Sequence, residues 1–182
     1  MKNIILNYAP NLAGSLYTIG NLILLFNGGL SGSWWQVAAA LLWLTDGIIL
    51  GWFGRLARGI EMHALVNMGG CLCLIMASRD LAQPFGQVTF AVILMLCAVL
   101  KFFAPSADQS IAKPKNILAL PWYFMRRYPL SVVSIVILTS RPFFIWGAIV
   151  NDQPQLLSAG IMWVIADIFQ FLSRKGGYIT RL

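Results

Sequence analysis

The sequence predicts an all-α, polytopic integral membrane protein with six transmembrane helices in three hairpins. Of its 182 residues, 59% are hydrophobic and only 10% are charged, and the mean hydropathy is +0.76. A soluble domain carries about a quarter charged residues. The apolar residues also fall into long runs separated by short polar turns. In lipid, a run of this kind satisfies its backbone hydrogen bonds as a helix.

Six apolar segments come close to the length of about 20 residues that a helix needs to cross a bilayer. They cover residues 11–27, 34–53, 62–78, 86–103, 130–149 and 155–173. The first and third are the least apolar, because Asn21 and Asn67 lie inside them. The chain is thereby divided into residues 1–103 with helices one to four, a cytoplasmic loop at 104–129, and residues 130–182 with the last two helices and a short basic tail.

The cations indicate how these segments are oriented. If the spans alternate in direction, eleven of the thirteen Lys and Arg residues fall on one side, Arg79 falls on the other and Arg141 lies inside a span. The eleven are Lys2, Arg55, Arg58, Lys101, Lys113, Lys115, Arg126, Arg127, Arg174, Lys175 and Arg181. Because basic loops stay in the cytoplasm, we expect both termini there, in a multi-pass protein of a bacterial inner membrane.

The loop at 104–129 contains a segment, Ile117–Tyr128, that combines aromatic residues with paired cations. Trp122, Tyr123, Arg126 and Arg127 are its most characteristic residues. This composition is typical of an amphipathic segment that lies in the headgroup layer. A docking surface for a cytoplasmic partner is the alternative interpretation.

Two hairpins share a short pattern. The second span contains Trp43-Leu-Thr-Asp46, and the sixth contains Trp163-Val-Ile-Ala-Asp167, which matches with a slip of one residue. Pro10 and Pro129 also open the first helix of each hairpin. The first and third hairpins are therefore candidate copies of each other, although apolar helices also resemble one another by composition.

Three ionisable residues, Asp46, Arg141 and Asp167, are predicted well inside the spans. Each costs about 2.5–3.5 kcal/mol to insert, so such residues are candidates for function. One hypothesis is that Arg141 faces both acids across a cavity for a polar solute or ion. The candidate lining of that cavity is Asn21, Asn67 and Ser134. The alternative is a structural clamp between helices.

Small residues after Asp46 indicate a helix-packing face, because Gly47, Gly51 and Gly54 are spaced closely enough for another helix to approach. The fourth span contains few polar residues, so we expect it to face lipid or a partner subunit. His63, the only histidine, is expected at the cytoplasmic boundary of the third span.

The function classes follow from what the sequence contains. It has no Ser/His/Asp set or phosphate-binding glycine loop, and Cys71-x-Cys73 is a poor spacing for a metal pair, so we expect no cofactor or metal site, and a membrane enzyme is only the third hypothesis after the two below. The first hypothesis is a transporter or solute-binding membrane subunit. The alternative is a non-catalytic subunit of a secretion, conjugation or cell-envelope assembly. The expected partners are the lipid bilayer, further copies of the chain or other membrane subunits, and no nucleic acid.

Overall fold

The computed structural model describes residues 2–53, 59–103, 114, 116–127 and 129–175, and within these the chain is all-α, with seven α-helices and no strand. The all-α prediction is therefore confirmed, and every predicted apolar segment coincides with a helix. The helices are α1 (Lys2–Ser31), α2 (Trp34–Phe53), α3 (Gly59–Ala77), α4 (Phe85–Phe103), α5 (Leu120–Arg127), α6 (Pro129–Val150) and α7 (Pro154–Lys175).

Two helices of the described part are long and apolar enough to cross a membrane, with apolar stretches at Val132–Val150 and Pro154–Phe171. The apolar stretch Phe85–Leu100 of α4 is shorter. The number of six spans is thus not supported by length and hydropathy alone. Polar residues inside the first three helices, among them Asn21, Asp46 and Asn67, lower the hydropathy of those helices.

The six long helices form a closed ring. Each packs against its neighbours in the order α1, α2, α3, α4, α6 and α7, and α7 packs against α1 to complete the circle. The short helix α5 packs against α6. Because α7 returns to α1, the last two helices belong to the same bundle as the first four.

Two of the three hairpin turns are built in the same way. α1 ends at Ser31, Gly32 follows with φ +70°, and the Ser33 amide donates to the Gly28 carbonyl at 2.9 Å. After α6, Asp152 takes the same left-handed conformation with φ +54°, and the Gln153 amide donates to the carbonyl of Ala148, also at 2.9 Å. This arrangement satisfies free carbonyls at a helix end and reverses the chain sharply.

The three hairpins, α1–α2, α3–α4 and α6–α7, bury residues at corresponding positions. Their first helices bury a small residue and, four residues later, a large apolar one; the pairs are Gly20 and Leu24, Gly70 and Leu74, and Ser140 and Phe144. Their second helices bury Ala40 and Trp43, Ala91 and Leu94, and Gly160 and Trp163, each pair three residues apart. The ring is therefore a repeat of three hairpins in its packing, and the second hairpin follows the same pattern as the first and third.

Aromatic rings fill the middle of the ring. Trp163 of α7 lies with its ring centroid 4.9 Å from Phe144, 6.0 Å from Phe90 and 5.6 Å from Trp43. These four side chains, which we call the aromatic layer, come from α2, α4, α6 and α7 and are all buried. Fully buried aromatic rings contribute much of the packing energy of a core, so the aromatic layer joins helices that are not neighbours in the ring.

The outer surface of the ring exposes large apolar side chains, and its mostly apolar interior also contains polar groups. Every long helix exposes large apolar side chains, among them Phe26, Leu41, Leu72, Leu96, Ile149 and Ile161. Buried inside are Asn21, Asn27, Gln36, Asp46, Ser78, Gln87, Ser140, Arg141 and Asp167.

Candidate functional site

Arg141 and Asp167 form an ion pair inside the ring. The Nε of Arg141 in α6 donates to Oδ2 of Asp167 in α7 at 2.7 Å, and each residue is only 7% exposed. Within the part of the chain that the structure describes, the side-chain hydrogen bond of Arg141 is the one that Nε donates to Asp167. A guanidinium carries five N–H donors, so four donors at the Nη atoms are left for another acceptor.

Tyr17 extends this pair to a third helix. Its hydroxyl, on α1, lies within hydrogen-bonding distance of Oδ1 of Asp167 and 3.0 Å from Oε1 of Gln170. The carboxylate of Asp167 therefore accepts on both oxygens, one from Arg141 and one from Tyr17. Because α7 packs on α1 and on α6, these bonds join the first and last helices at the point where the ring closes.

The aromatic layer covers the guanidinium. The central carbon of Arg141 lies 5.2 Å from the centroid of the Phe90 ring and 5.1 Å from that of Trp163. A cation at this distance from a ring face gains about 0.5–2 kcal/mol. The charge of Arg141 is thus compensated by one carboxylate and two aromatic rings.

Asp46 does not join Arg141 in this structure. Its Oδ1 lies 2.6 Å from Nδ1 of His63, which connects α2 to α3. The predicted set of three charges is therefore divided into two separate pairs, Arg141 with Asp167 and Asp46 with His63. The sequence shows how deep a residue lies along a helix, but it does not show which neighbouring helix its side chain faces.

The three polar residues predicted to line a cavity are placed differently from one another. Asn21 is buried on α1, and its position corresponds to Cys71 on α3 and Arg141 on α6, each directly after the buried small residue of its helix. Asn67 is half-buried, and its Oδ1 lies 3.8 Å from Sγ of Cys71. Ser134 is half-buried near the start of α6. Only Asn21 therefore occupies the level of Arg141 by its place in the repeat.

Two open apolar grooves lie on the outside of the ring, away from the charges. One, of about 540 Å³, is lined by Ile19, Phe26 and other residues of α1 and α7. The other, of about 330 Å³, is lined by Phe85, Pro142, Phe143 and Trp146. Neither groove includes an ionisable residue among its lining.

Among the described glycines, Gly20 and Gly70 lie at close helix contacts, whereas Gly47 of the predicted set does not. Gly47 is exposed, and a Cβ there would meet no atom within 4 Å. The surroundings of Gly51 and the position of Gly54 lie outside the described residues. Instead, a Cβ at Gly20 would overlap the indole of Trp163, and a Cβ at Gly70 would overlap that of Trp43. The spacing of small residues identifies a smooth helix face but not the direction in which that face points.

The fourth span is also placed differently from the expectation. Phe90, Ala91 and Leu94 of α4 are buried inside the ring, and Phe90 lies beside Arg141. Leu96 on the same helix is exposed. α4 is therefore a full member of the ring, and its outer side alone is free to face lipid or a partner.

The predicted interfacial segment forms α5 and a short 3-10 turn before it, Ile117–Ala119. Trp122 is exposed, Tyr123 is buried, and Arg127 is half-buried. The side chain of Arg126 lies outside the described residues. The segment is therefore helical, with Tyr123 on its inner side and Trp122 on its outer side.

Sequence reasoning missed Tyr17, His63 and Phe90 as members of the site. A signal existed for His63, because it lies shortly after the link between α2 and α3, whereas Asp46 lies shortly before that link. In an antiparallel pair of helices, two residues at similar distances along the chain from the link reach similar depths. Phe90 and Tyr17 gave no such signal, because nothing in the sequence shows which ring or hydroxyl meets a given charge.

Comparison with protein families, with curated proteins and with solved structures finds no match to this chain.

Proposed function

We propose that the chain is a multi-pass protein of a bacterial inner membrane, with α1, α2, α3, α4, α6 and α7 as six spans and both termini in the cytoplasm. The apolar outer surface of the ring supports this, since large exposed apolar side chains on every long helix are stable in lipid. The basic residues outside the spans support the orientation through their one-sided distribution.

We propose further that the protein binds a polar solute at Arg141, as a small transporter or as the solute-binding subunit of one. The observation that carries this is the guanidinium of Arg141: the residue is only 7% exposed, and the side-chain hydrogen bond that it makes within the described residues is the one from Nε to Asp167. Donors of this kind suit an oxygen of a carboxylate, phosphate or carbonyl group. Asp167 neutralises the charge of Arg141. Asp46 and His63 form a second ionisable pair, of the kind found in proton relays.

The orientation is tested by cysteine labelling in membranes. Cys71, Cys73 and Cys97 are first replaced by alanine, and single cysteines are then introduced as Asp80→Cys in the α3–α4 turn and Arg181→Cys in the tail. A membrane-impermeant maleimide added to intact cells is expected to label the first and not the second. Labelling of the second alone would overturn the orientation, and labelling of both would overturn the three spans that the proposal places between the two sites.

Solute binding is tested by gentle extraction from native membranes and native mass determination. The wild type is expected to carry a small-molecule adduct, which the Arg141→Met, Asp167→Asn double variant loses while still folding. The matched control changes the same residue types at the surface, Arg79→Met with Asp80→Asn, and keeps the adduct. Reconstituted vesicles are then expected to take up the identified solute.

The alternative function is that of a non-catalytic subunit of a larger membrane assembly. It is favoured by the aromatic side chains that fill the centre of the ring of helices, and by the compensation of the positive charge of Arg141 by groups of the same chain. Under this alternative the protein is extracted within a large complex, carries no adduct, and keeps its place in the complex when both charges of the pair are neutralised.

A further inference from the structure

The three hairpin turns lie at one end of the ring, which we call the turn end. A second layer of buried polar side chains lies there. Its buried side chains are Asn27 of α1, Gln36 of α2, Ser78 after α3 and Gln87 of α4. Hydrogen bonds hold the turns together here: Gln87 Nε2 donates to Gln153 Oε1 at 3.0 Å, and Asn151 Nδ2 donates to the Gln83 carbonyl at 2.8 Å.

Two donors of this layer have no acceptor. Asn27 is 7% exposed and Gln36 is 5% exposed, and within the described residues Nδ2 of the first and Nε2 of the second make no hydrogen bond. Both lie beside the α1–α2 turn, because Asn27 directly precedes Gly28 and the Cβ of Gln36 lies 3.1 Å from the point where a Cβ of Gly28 would stand. A buried donor without an acceptor costs about 1–3 kcal/mol, so this pair is expensive unless something accepts from it.

The level of this layer separates it from Arg141. Gly147 of α6 packs against Gln87 of α4: a Cβ added to Gly147 would stand 3.0 Å from the backbone nitrogen of Gln87. Six residues of helix separate Arg141 from Gly147, which is about 9 Å along the axis at 1.5 Å per residue. The aromatic layer lies between, because Phe144 stands between Arg141 and Gly147 on α6.

We propose that the turn end contains a binding site for a small neutral solute, which accepts hydrogen bonds from Nδ2 of Asn27 and Nε2 of Gln36. The residues of the layer are amides, a hydroxyl and small side chains, and none of Asn27, Gln36, Ser78 and Gln87 is ionisable. Without a cation, an anion entering this layer would lose its hydration with no countercharge. A carbonyl or hydroxyl oxygen is the matching acceptor. The proposal rests on the proposed membrane location but not on solute binding at Arg141.

The test uses acetamide and acetate, which have nearly the same shape and differ in charge. The thermal unfolding of the purified full chain in lipid nanodiscs is followed with increasing concentrations of each. Acetamide is expected to raise the unfolding temperature of the wild type and of the Arg141→Met, Asp167→Asn double variant, whereas acetate leaves the double variant, which lacks the guanidinium of Arg141, unchanged. Asn27→Leu and Gln36→Leu each remove one donor. Each is expected to raise the acetamide concentration that gives half of the maximal shift in unfolding temperature by about tenfold or more.

Two control variants make the outcome specific. Gln155→Leu removes an exposed amide on α7 and keeps the acetamide effect. The Arg141→Met, Asp167→Asn double variant also keeps it, because those residues lie on the other side of the aromatic layer. The proposal is overturned if acetamide does not stabilise the wild type, if acetate stabilises the double variant as much as acetamide does, or if the double variant loses the acetamide effect. It is overturned as well if Asn27→Leu and Gln36→Leu stabilise the chain and respond to acetamide like the wild type.

Discussion

Removal of Asp167 is expected to destabilise the ring more than removal of Arg141. In Asp167→Asn the guanidinium stays charged and buried, because arginine is not deprotonated in proteins. In Arg141→Met the carboxylate that remains can bind a proton and become neutral. Removing Asp167 and removing Arg141 break the same 2.7 Å contact but should therefore lower the free energy of unfolding by different amounts.

The magnitudes follow from the burial of the pair. Both residues are 7% exposed, and removing one partner of a buried pair costs about 3–5 kcal/mol. We expect Asp167→Asn to lie in that range, which is a factor of about 10² to 10⁴ in the ratio of folded to unfolded protein. Arg141→Met loses a charge-assisted hydrogen bond of about 1.5–3 kcal/mol and keeps no buried charge, so its loss is smaller.

The double variant Arg141→Met, Asp167→Asn is the decisive measurement. Replacing a buried pair by neutral or apolar groups is often neutral or stabilising, so we expect its stability to lie within about 1 kcal/mol of the wild type. Equilibrium unfolding by increasing amounts of SDS in mixed micelles, followed by the fluorescence of the seven tryptophans, gives the free energy of unfolding. Losses that simply add in the double variant, or an Asp167→Asn cost below about 1 kcal/mol, would refute the reasoning.

Three further results are expected from the same unfolding assay. Gly86→Ala should cost at least about 1–3 kcal/mol of unfolding free energy, because its Cβ would stand 2.6 Å from the Phe143 carbonyl oxygen. The control Gly29→Ala faces open space and should be neutral or slightly stabilising. Equal effects of the two substitutions would contradict the close crossing of α4 and α6. Tyr17→Phe should cost about 1.5–3 kcal/mol through the lost bond to the carboxylate, and exposed Tyr8→Phe should cost almost nothing. Asp46→Asn keeps an acceptor for its partner histidine and should cost about 1 kcal/mol; a loss above about 3 kcal/mol would mean that the carboxylate charge itself is required.

The positions of the helices could be predicted from the sequence because they depend on local composition. The apolar run at 34–53 has the same bounds as α2, Trp34–Phe53. The start of α1 could not be predicted, since the helix begins at Lys2 and continues through Asn7 and Pro10, residues that an apolar window excludes. Helix formation requires backbone hydrogen bonds and not apolarity, so hydropathy locates the apolar part of a helix rather than its ends.

The partners within the site could be predicted only in part. The depth of Arg141 and Asp167 follows from the rise of 1.5 Å per residue, and their proximity was expected. The pairing of Asp46 with His63 depends on the order of the helices in the ring, because α2 packs against α1 and α3 and not against α6. That order is set by the packing of side chains from distant parts of the chain, for which hydropathy carries no information.

The repeat of the three hairpins provides an internal comparison for Arg141. Trp163 packs on Gly20 between α7 and α1, and Trp43 packs on Gly70 between α2 and α3, so the same contact is made twice. Asn21 and Cys71, the residues after those glycines, are uncharged and take the place that Arg141 has on α6. Because the ring forms these two interfaces without a cation at that position, a cation is not needed to pack helices in this arrangement. This argues that Arg141 serves more than packing, and it gives a physical reason to expect that the neutral double variant folds and loses only what the charge binds.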